Sequence, residues 1–276
     1  MLWQSKYLQN GLDRCAELEL SDILRSMIPL GRYGGRILPF LTGGVLTFII
    51  VIYLVPKRNG ILVPPHFYDV CTAFNVSSRN EIYKILDSCK LKTGVELGVW
   101  TGDYSEHMLK NWKSCTKYYL VDPWLYQTNY KDWLNLDDKK QGKLFEQTKA
   151  RLKKWESKTE FLRLTTKQAA PHFKENSIDF VYIDARHDYC ATKEDIELYW
   201  PKVRPGGILA GHDYKWTGDK DQAQREGGLD WGICENGERH EGAVKRAVDE
   251  FVAKNKLKLF LTQEAGVNPS WILVKS

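Results

Sequence analysis

Two short runs hold the side chains best suited to chemistry. The first, Phe180-Val181-Tyr182-Ile183-Asp184-Ala185-Arg186-His187-Asp188-Tyr189, is an apolar stretch that ends in an acid and, three residues on, a histidine. The second, Pro205-Gly206-Gly207-Ile208-Leu209-Ala210-Gly211-His212-Asp213-Tyr214, has the same form: a turn, an apolar stretch, then His212 and Asp213. As neighbouring parallel strands they bring two carboxylates and two imidazoles to one sheet edge, on the carboxyl side where open α/β sheets bind ligands. Such a set suits activation of a hydroxyl, which barely ionises at neutral pH. A hard cation lowers its pKa and a base removes the proton. Carboxylates suit Mg2+, which takes few protein ligands and keeps waters that substrate oxygens can replace. Asp184 and Asp213 are therefore candidate cation ligands and His187 a candidate general base. His212 either ligates or orients Asp213. Asp188 is assigned to a turn and Asp195 to a helix surface.

A third run, Glu96-Leu97-Gly98-Val99-Trp100-Thr101-Gly102, is a strand end followed by a glycine turn. Glycine lets a backbone turn tightly and approach a ligand closely. The spacing is not the dinucleotide fingerprint, because Trp100 stands where the middle glycine of GxGxxG would be. The ligand expected here carries no diphosphate. The next apolar run ends in Val121-Asp122-Pro123-Trp124, and an acid at that tip can hold both hydroxyls of a ribose.

Alternating patterns provide the scaffold. Strands are expected at 94–98, 118–121, 161–164, 178–183, 207–210 (after a Pro205-Gly206 turn), 257–261 and 271–274. Helices are expected at 77–89, 103–112, 139–155, 194–200 and 242–254, and a Gly/Pro-containing linker at 59–65. Strands alternating with helices imply α/β architecture with a parallel, doubly wound sheet. The segment 217–240, with Trp231 inside it and Trp216 before it, is a long polar insertion of the kind that forms lids or acceptor sites.

These runs resemble class I S-adenosylmethionine-dependent methyltransferases, whose first motif is E/D-x-G-x-x-x-G and whose second-strand acid matches Asp122. The resemblance implies a Rossmann-like, seven-stranded sheet in the order 3-2-1-4-5-7-6 with the last strand antiparallel. It implies a cofactor site of Glu96 (near the methionine amino group), Gly98, Gly102, Asp122 and Asp184, with Gln168-Ala169-Ala170, Ala169 in particular, at the adenine. The stretch IDARHDYCATKEDIELYWPKVRPGGILAGHDY, followed by GAVKRAVDEF, is similar to the macrocin/mycinamicin type of metal-dependent sugar O-methyltransferase, the methyltransferase-24 group. In that group the acid matching Asp184 binds Mg2+ and the histidine matching His187 is the base. An acidic pair falls where this chain has His212 and Asp213, so the first member departs from the pattern. The implied metal set is Asp184, Asp213 and His212. The resemblance covers residues 92–275 and implies a hydroxyl acceptor, a sugar or glycan, with a small-molecule or lipid acceptor as the rival. A catalytically silent scaffold is the rival from another class. Nucleic acid is not expected, because no Asn/Asp-Pro-Pro-Tyr motif is present.

Composition agrees with a globular body. Of 276 residues 12% are aromatic and 27% charged, and the net charge of +5 neither demands nor excludes an anionic partner. Lys139, Lys140, Lys143, Lys149, Arg151, Lys153 and Lys154 make a basic helix read as a solvated face. Six scattered cysteines, with no CxxC pair, argue against structural zinc and read as free thiols, with disulfides allowed in a lumenal compartment. Residues 37–55 carry no charge; as a helix they span about 28 Å, enough to cross a bilayer. Five basic residues (Lys6, Arg14, Arg25, Arg32 and Arg36) precede them and two, Lys57 and Arg58, follow closely. The bias places the N-terminus in the cytosol and the rest in the lumen, where Asn75-Val76-Ser77 is a glycosylation sequon. The expected organisation is a cytosolic tail at 1–36, a transmembrane anchor at 37–56, a linker and edge helix at 57–90 and a catalytic domain at 91–276, in a single-pass type II protein of the ER or Golgi.

Overall fold

A computed structural model describes residues 57–58, 61–62, 76–263 and 268–276. The expected tail, anchor and sequon asparagine lie outside them. Among the described residues no helix is long and apolar enough to cross a membrane.

The seven strands of the main sheet are β1 (Thr93–Leu97), β2 (Lys117–Val121), β3 (Thr159–Leu162), β4 (Ile178–Ile183), β5 (Val203–Gly211), β6 (Leu259–Leu261) and β7 (Trp271–Val274). Their order is 3-2-1-4-5-7-6, with β7 antiparallel to both of its neighbours. The central strand β4 is buried at every position, as a parallel strand covered on both faces must be. Its alternation divides the core. Phe180 and Tyr182 join the cluster on one face, Val181 and Ile183 the cluster on the other. Asp179 fixes the lower end of the sheet by accepting from the backbone N–H groups of Lys92 and Thr93.

The helices are α1 (Ile82–Ser88), α2 (Asp103–Asn111), α3 (Asp138–Leu152), α4 (Thr166–Ala169), α5 (Tyr189–Tyr199), α6 (Gln222–Arg225) and α7 (Ala243–Asn255). Helix α2 follows the glycine turn directly, and Asp103 and Glu106 in its first turn suit the positive end of the helix dipole. Helix α5 starts five residues earlier than the sequence suggested, because Asp188 caps it, accepting from the Ala191 N–H.

Two other expectations are corrected. The Pro205-Gly206 pair lies within β5 rather than before it: the β4–β5 register shifts between Ile178 and Phe180, and Gly206, at φ 77°, absorbs the bulge. The linker expected at 59–65 contains half of a small antiparallel hairpin, Lys57–Arg58 paired with Ile61–Leu62.

Candidate active site

Backbone hydrogen bonds place the site. Asp184 N–H donates to Leu97 O at 2.7 Å, His212 N–H to Ile183 O at 2.9 Å and Gly98 N–H to Val121 O at 2.9 Å. The tips of β2, β1, β4 and β5 are thus in register, and each releases its functional residue at the same edge. Gly98 has φ 84°, and a Cβ there would lie 2.0 Å from the Asp184 carbonyl oxygen. Glycine at this position is demanded by the neighbouring strand tip. Gly102 at φ 74° is the residue before α2, and a Cβ there would meet Thr148 at 2.8 Å.

The expected cofactor residues surround this turn. Asp122 holds it: Oδ2 accepts from the N–H groups of Val99 and Trp100, both at 2.9 Å, and Oδ1 from Trp124 N–H at 2.7 Å. Read from the sequence as the ribose acid, Asp122 spends three of its acceptor directions on the loop itself. Glu96 is 2% exposed, and its Oε2 accepts from Ser105 Oγ and Tyr118 OH, both at 2.8 Å. Burial pushes its carboxyl up to about 8 against the opposing pull of those two hydroxyls. Ala169, expected at the adenine, is fully buried in the core, and the neighbouring Gln168 carries the exposed side chain of that turn. A close backbone turn with a buried acid at its base fits a nucleoside carrying an amino-acid group.

The reaction-side residues come together as the sequence indicated. Donor atoms of Asp184, His212 and Asp213 lie within 4.8 Å of one another. His187 Nε2 is 3.2 Å from Asp184 Oδ1 and 3.1 Å from Asp213 Oδ2. His212 Nδ1 is 3.1 Å from Asp213 Oδ2 and 3.8 Å from Asp184 Oδ1. Burial works against charge at both acids, but the two histidines, with Arg79 also acting on Asp184, hold the carboxyls below the usual range. His187 moves the other way: burial lowers it, yet Tyr130 and the two carboxylates hold it well above the ordinary imidazole range. Two carboxylates and an imidazole with converging donor atoms form a set that fits a divalent cation. Asp213 adopts φ 50°, an uncommon conformation for a residue with a side chain, which turns its carboxylate toward this cluster.

Several contributors carried no recognised sequence signal. Arg79 pairs with Asp184 Oδ2 at 3.0 Å. Tyr130 OH is 2.8 Å from His187 Nδ1, and Asn268 Nδ2 donates to Asp213 Oδ1 at 2.7 Å. Each comes from a segment far along the chain, so only folding could reveal it. The insertion at 217–240 is folded and covers the site. Trp231 stacks on His187 with ring centroids 4.3 Å apart, and its Nε1–H donates to Asp132 at 2.8 Å. A disulfide joins Cys190 on α5 to Cys234 in the insertion, correcting the free-thiol reading for that pair. Cys89 is disulfide-bonded as well, and Cys115 is a free, buried thiol. Asp195, expected on a helix surface, is 1% exposed, because it falls on the stripe of α5 that faces the body.

Residues 95–214 match the methyltransferase-24 family, described as a methyltransferase domain. No match was found among curated proteins. Solved structures with a similar fold include an O-methyltransferase family protein from Burkholderia thailandensis, at TM-score 0.48 and 16% identity. That alignment covers 77% of this chain and 55% of the other. TomG of Streptomyces achromogenes, an O-methyltransferase of tomaymycin synthesis solved with S-adenosylmethionine, aligns at TM-score 0.47 and 12% identity, covering 81% of this chain and 92% of that one. An O-methyltransferase from Bacillus cereus, solved with S-adenosylhomocysteine, aligns at TM-score 0.45 and 14% identity, covering 80% and 93%. The family match, whose model is described as a methyltransferase domain, runs from the first strand to the tip of the fifth, through both halves of the site.

Proposed function

We propose that the protein transfers a methyl group to a hydroxyl of a sugar in a glycan or glycoconjugate, assisted by a divalent cation, in the lumen of the secretory pathway. The observation that carries this reading is the convergence of Asp184, His187, His212 and Asp213 beside the glycine turn. When bound, the cofactor supplies an activated methyl on a sulfonium. A cation held by Asp184, Asp213 and His212 would lower the pKa of the acceptor hydroxyl. The chain's own groups then do three things. The glycine turn and Glu96 would hold the cofactor. Asp184 and Asp213 would hold the cation, and His187, with Nε2 beside both carboxylates, would take the acceptor's proton. Trp231 and Tyr130 fix the imidazole plane and exclude water from one side of it.

The Cys190–Cys234 disulfide supports an oxidising compartment, and residues 37–55 supply the proposed anchor. A soluble small-molecule acceptor is the rival reading. The test is methyl transfer from labelled cofactor by the full chain in detergent, offered glycans and catechol-type phenols side by side. Product on glycans, lost with His187→Gln and Asp184→Asn, is the expected result. Transfer to phenols alone would replace the glycan reading. Tight binding of S-adenosylhomocysteine with no transfer to any acceptor would favour a silent scaffold.

A further inference from the structure

Each carboxylate of the cluster has one oxygen tied back and one turned inward. Asp184 Oδ2 is held by Arg79 at 3.0 Å, and Asp213 Oδ1 by Asn268 at 2.7 Å. The opposite oxygens, Asp184 Oδ1 and Asp213 Oδ2, face His212 Nδ1, at 3.8 and 3.1 Å, and also His187 Nε2, at 3.2 and 3.1 Å. Adjacent ligands of a six-coordinate ion at ordinary bond lengths lie roughly 3 Å apart, so three atoms at these spacings approximate one triangular face around an ion. The outer donors keep each carboxylate single-toothed and fix its direction, which is the usual work of groups behind a metal ligand.

The decisive feature is the nitrogen. Mg2+ favours oxygen ligands, whereas imidazole suits first-row transition ions. His212 is not free to turn away: its backbone is pinned to Ile183, and its side chain is 18% exposed.

We infer that Asp184, His212 and Asp213 form a mixed nitrogen–oxygen face selective for a transition-metal dication over Mg2+, with His212 as the residue that sets the preference. The inference rests on the proposed cation-assisted reading. A cation held by these three protein atoms would keep further positions for an acceptor oxygen. His187 Nε2, 3.2 and 3.1 Å from the same two oxygens, is assigned to proton transfer, so metal choice and proton transfer belong to different imidazoles, and the His187→Gln variant tests that division.

The test uses the full chain, stripped of metal, in detergent. Co2+ is titrated by its visible absorption bands, which report nitrogen ligation and coordination number without turnover. Mg2+ is titrated by calorimetry, and S-adenosylhomocysteine by calorimetry in parallel. The expected result is Co2+ binding with a stoichiometry of one that disappears in Asp184→Asn. In His212→Asp the Co2+ affinity should fall about tenfold or more while Mg2+ affinity holds or rises, because the face becomes all oxygen. Asn268→Ala should weaken Co2+ by about tenfold, as loss of an orienting group does, and His187→Gln should leave the Co2+ to Mg2+ ratio unchanged. A native circular dichroism spectrum and thermal transition show that each variant is folded. An unchanged ratio in folded His212→Asp, or Co2+ binding that persists in Asp184→Asn, overturns the inference and leaves the methyltransferase reading standing. Failure of the native chain to bind S-adenosylhomocysteine at all would instead remove the reading beneath it.

Discussion

At Glu96, burial and chemistry pull in opposite directions. The carboxyl is enclosed by Ser105 and Tyr118 and lies near 8 in the folded chain, against 4.5 for an exposed glutamate, chiefly because burial disfavours its charge. A carboxyl raised in the folded state contributes stability that is complete below its unfolded pKa and is lost as pH rises through the folded one. Glu96 therefore favours folding below pH 4.5 and penalises it increasingly toward pH 8. Glu96→Gln, which cannot ionise, should be more stable than the native chain at pH 8.5 by a few kcal/mol, to order of magnitude, with the gap shrinking toward pH 5. Urea denaturation at the two pH values measures it. A gap independent of pH would mean that Glu96 is ionised in the fold. The proposed cofactor role of Glu96 predicts that the same substitution also lowers cofactor affinity.

The β1–α2 turn is an element whose geometry is set by neighbours. Gly98 abuts the Asp184 carbonyl, and its φ of 84° suits only glycine. Gly98→Ala should cost at least about 2 kcal/mol and abolish cofactor binding, through backbone conflict and positive φ together. Thermal unfolding together with S-adenosylhomocysteine titration checks both. A stable variant that still binds would show that the strand tips can part. The insertion at 217–240 is the second such element. Its disulfide to α5 closes a loop of sequence separation 44. Removing the bridge with Cys190→Ser and Cys234→Ser together should lower stability by about 2–4 kcal/mol. It should also loosen Trp231 from His187, seen as a change in tryptophan emission. Unaltered emission would mean that the Trp231–Asp132 hydrogen bond and the Asp230–Arg239 ion pair hold the lid without the bridge.

At the scale of the whole molecule, the sheet carries the load and the loops carry the function. Trp112 is fully buried, edge-on to Tyr118 and Phe180, and donates to Leu91 O. Trp112→Ala should cost about 3–5 kcal/mol without a specific effect on metal selectivity. Chemical denaturation beside the Co2+ titration separates the two. The proposed topology is tested on intact microsomes. Mass lost from Asn75 on glycosidase treatment and protection of the catalytic domain from added protease are expected, and an unprotected domain would reverse the orientation.

Sequence periodicity marked the seven strands and the five longer helices along the chain, because burial on both faces of a parallel sheet forces apolar runs such as 178–183, and a switch to helical spacing marks each crossover; the short helices α4 and α6 carried no such signal. It also located Asp184, His187, His212 and Asp213, since residues at the ends of neighbouring parallel strands must converge. Tertiary structure decided what those residues touch. That Asp122 grips the glycine turn, that Asp195 is buried and that Cys190 pairs with Cys234 depend on contacts no local pattern encodes. Arg79, Tyr130, Trp231 and Asn268 reach the site from four separate segments. Spacing along a strand fixes a side chain's face, but its partner across the fold is chosen by the packing of the whole chain.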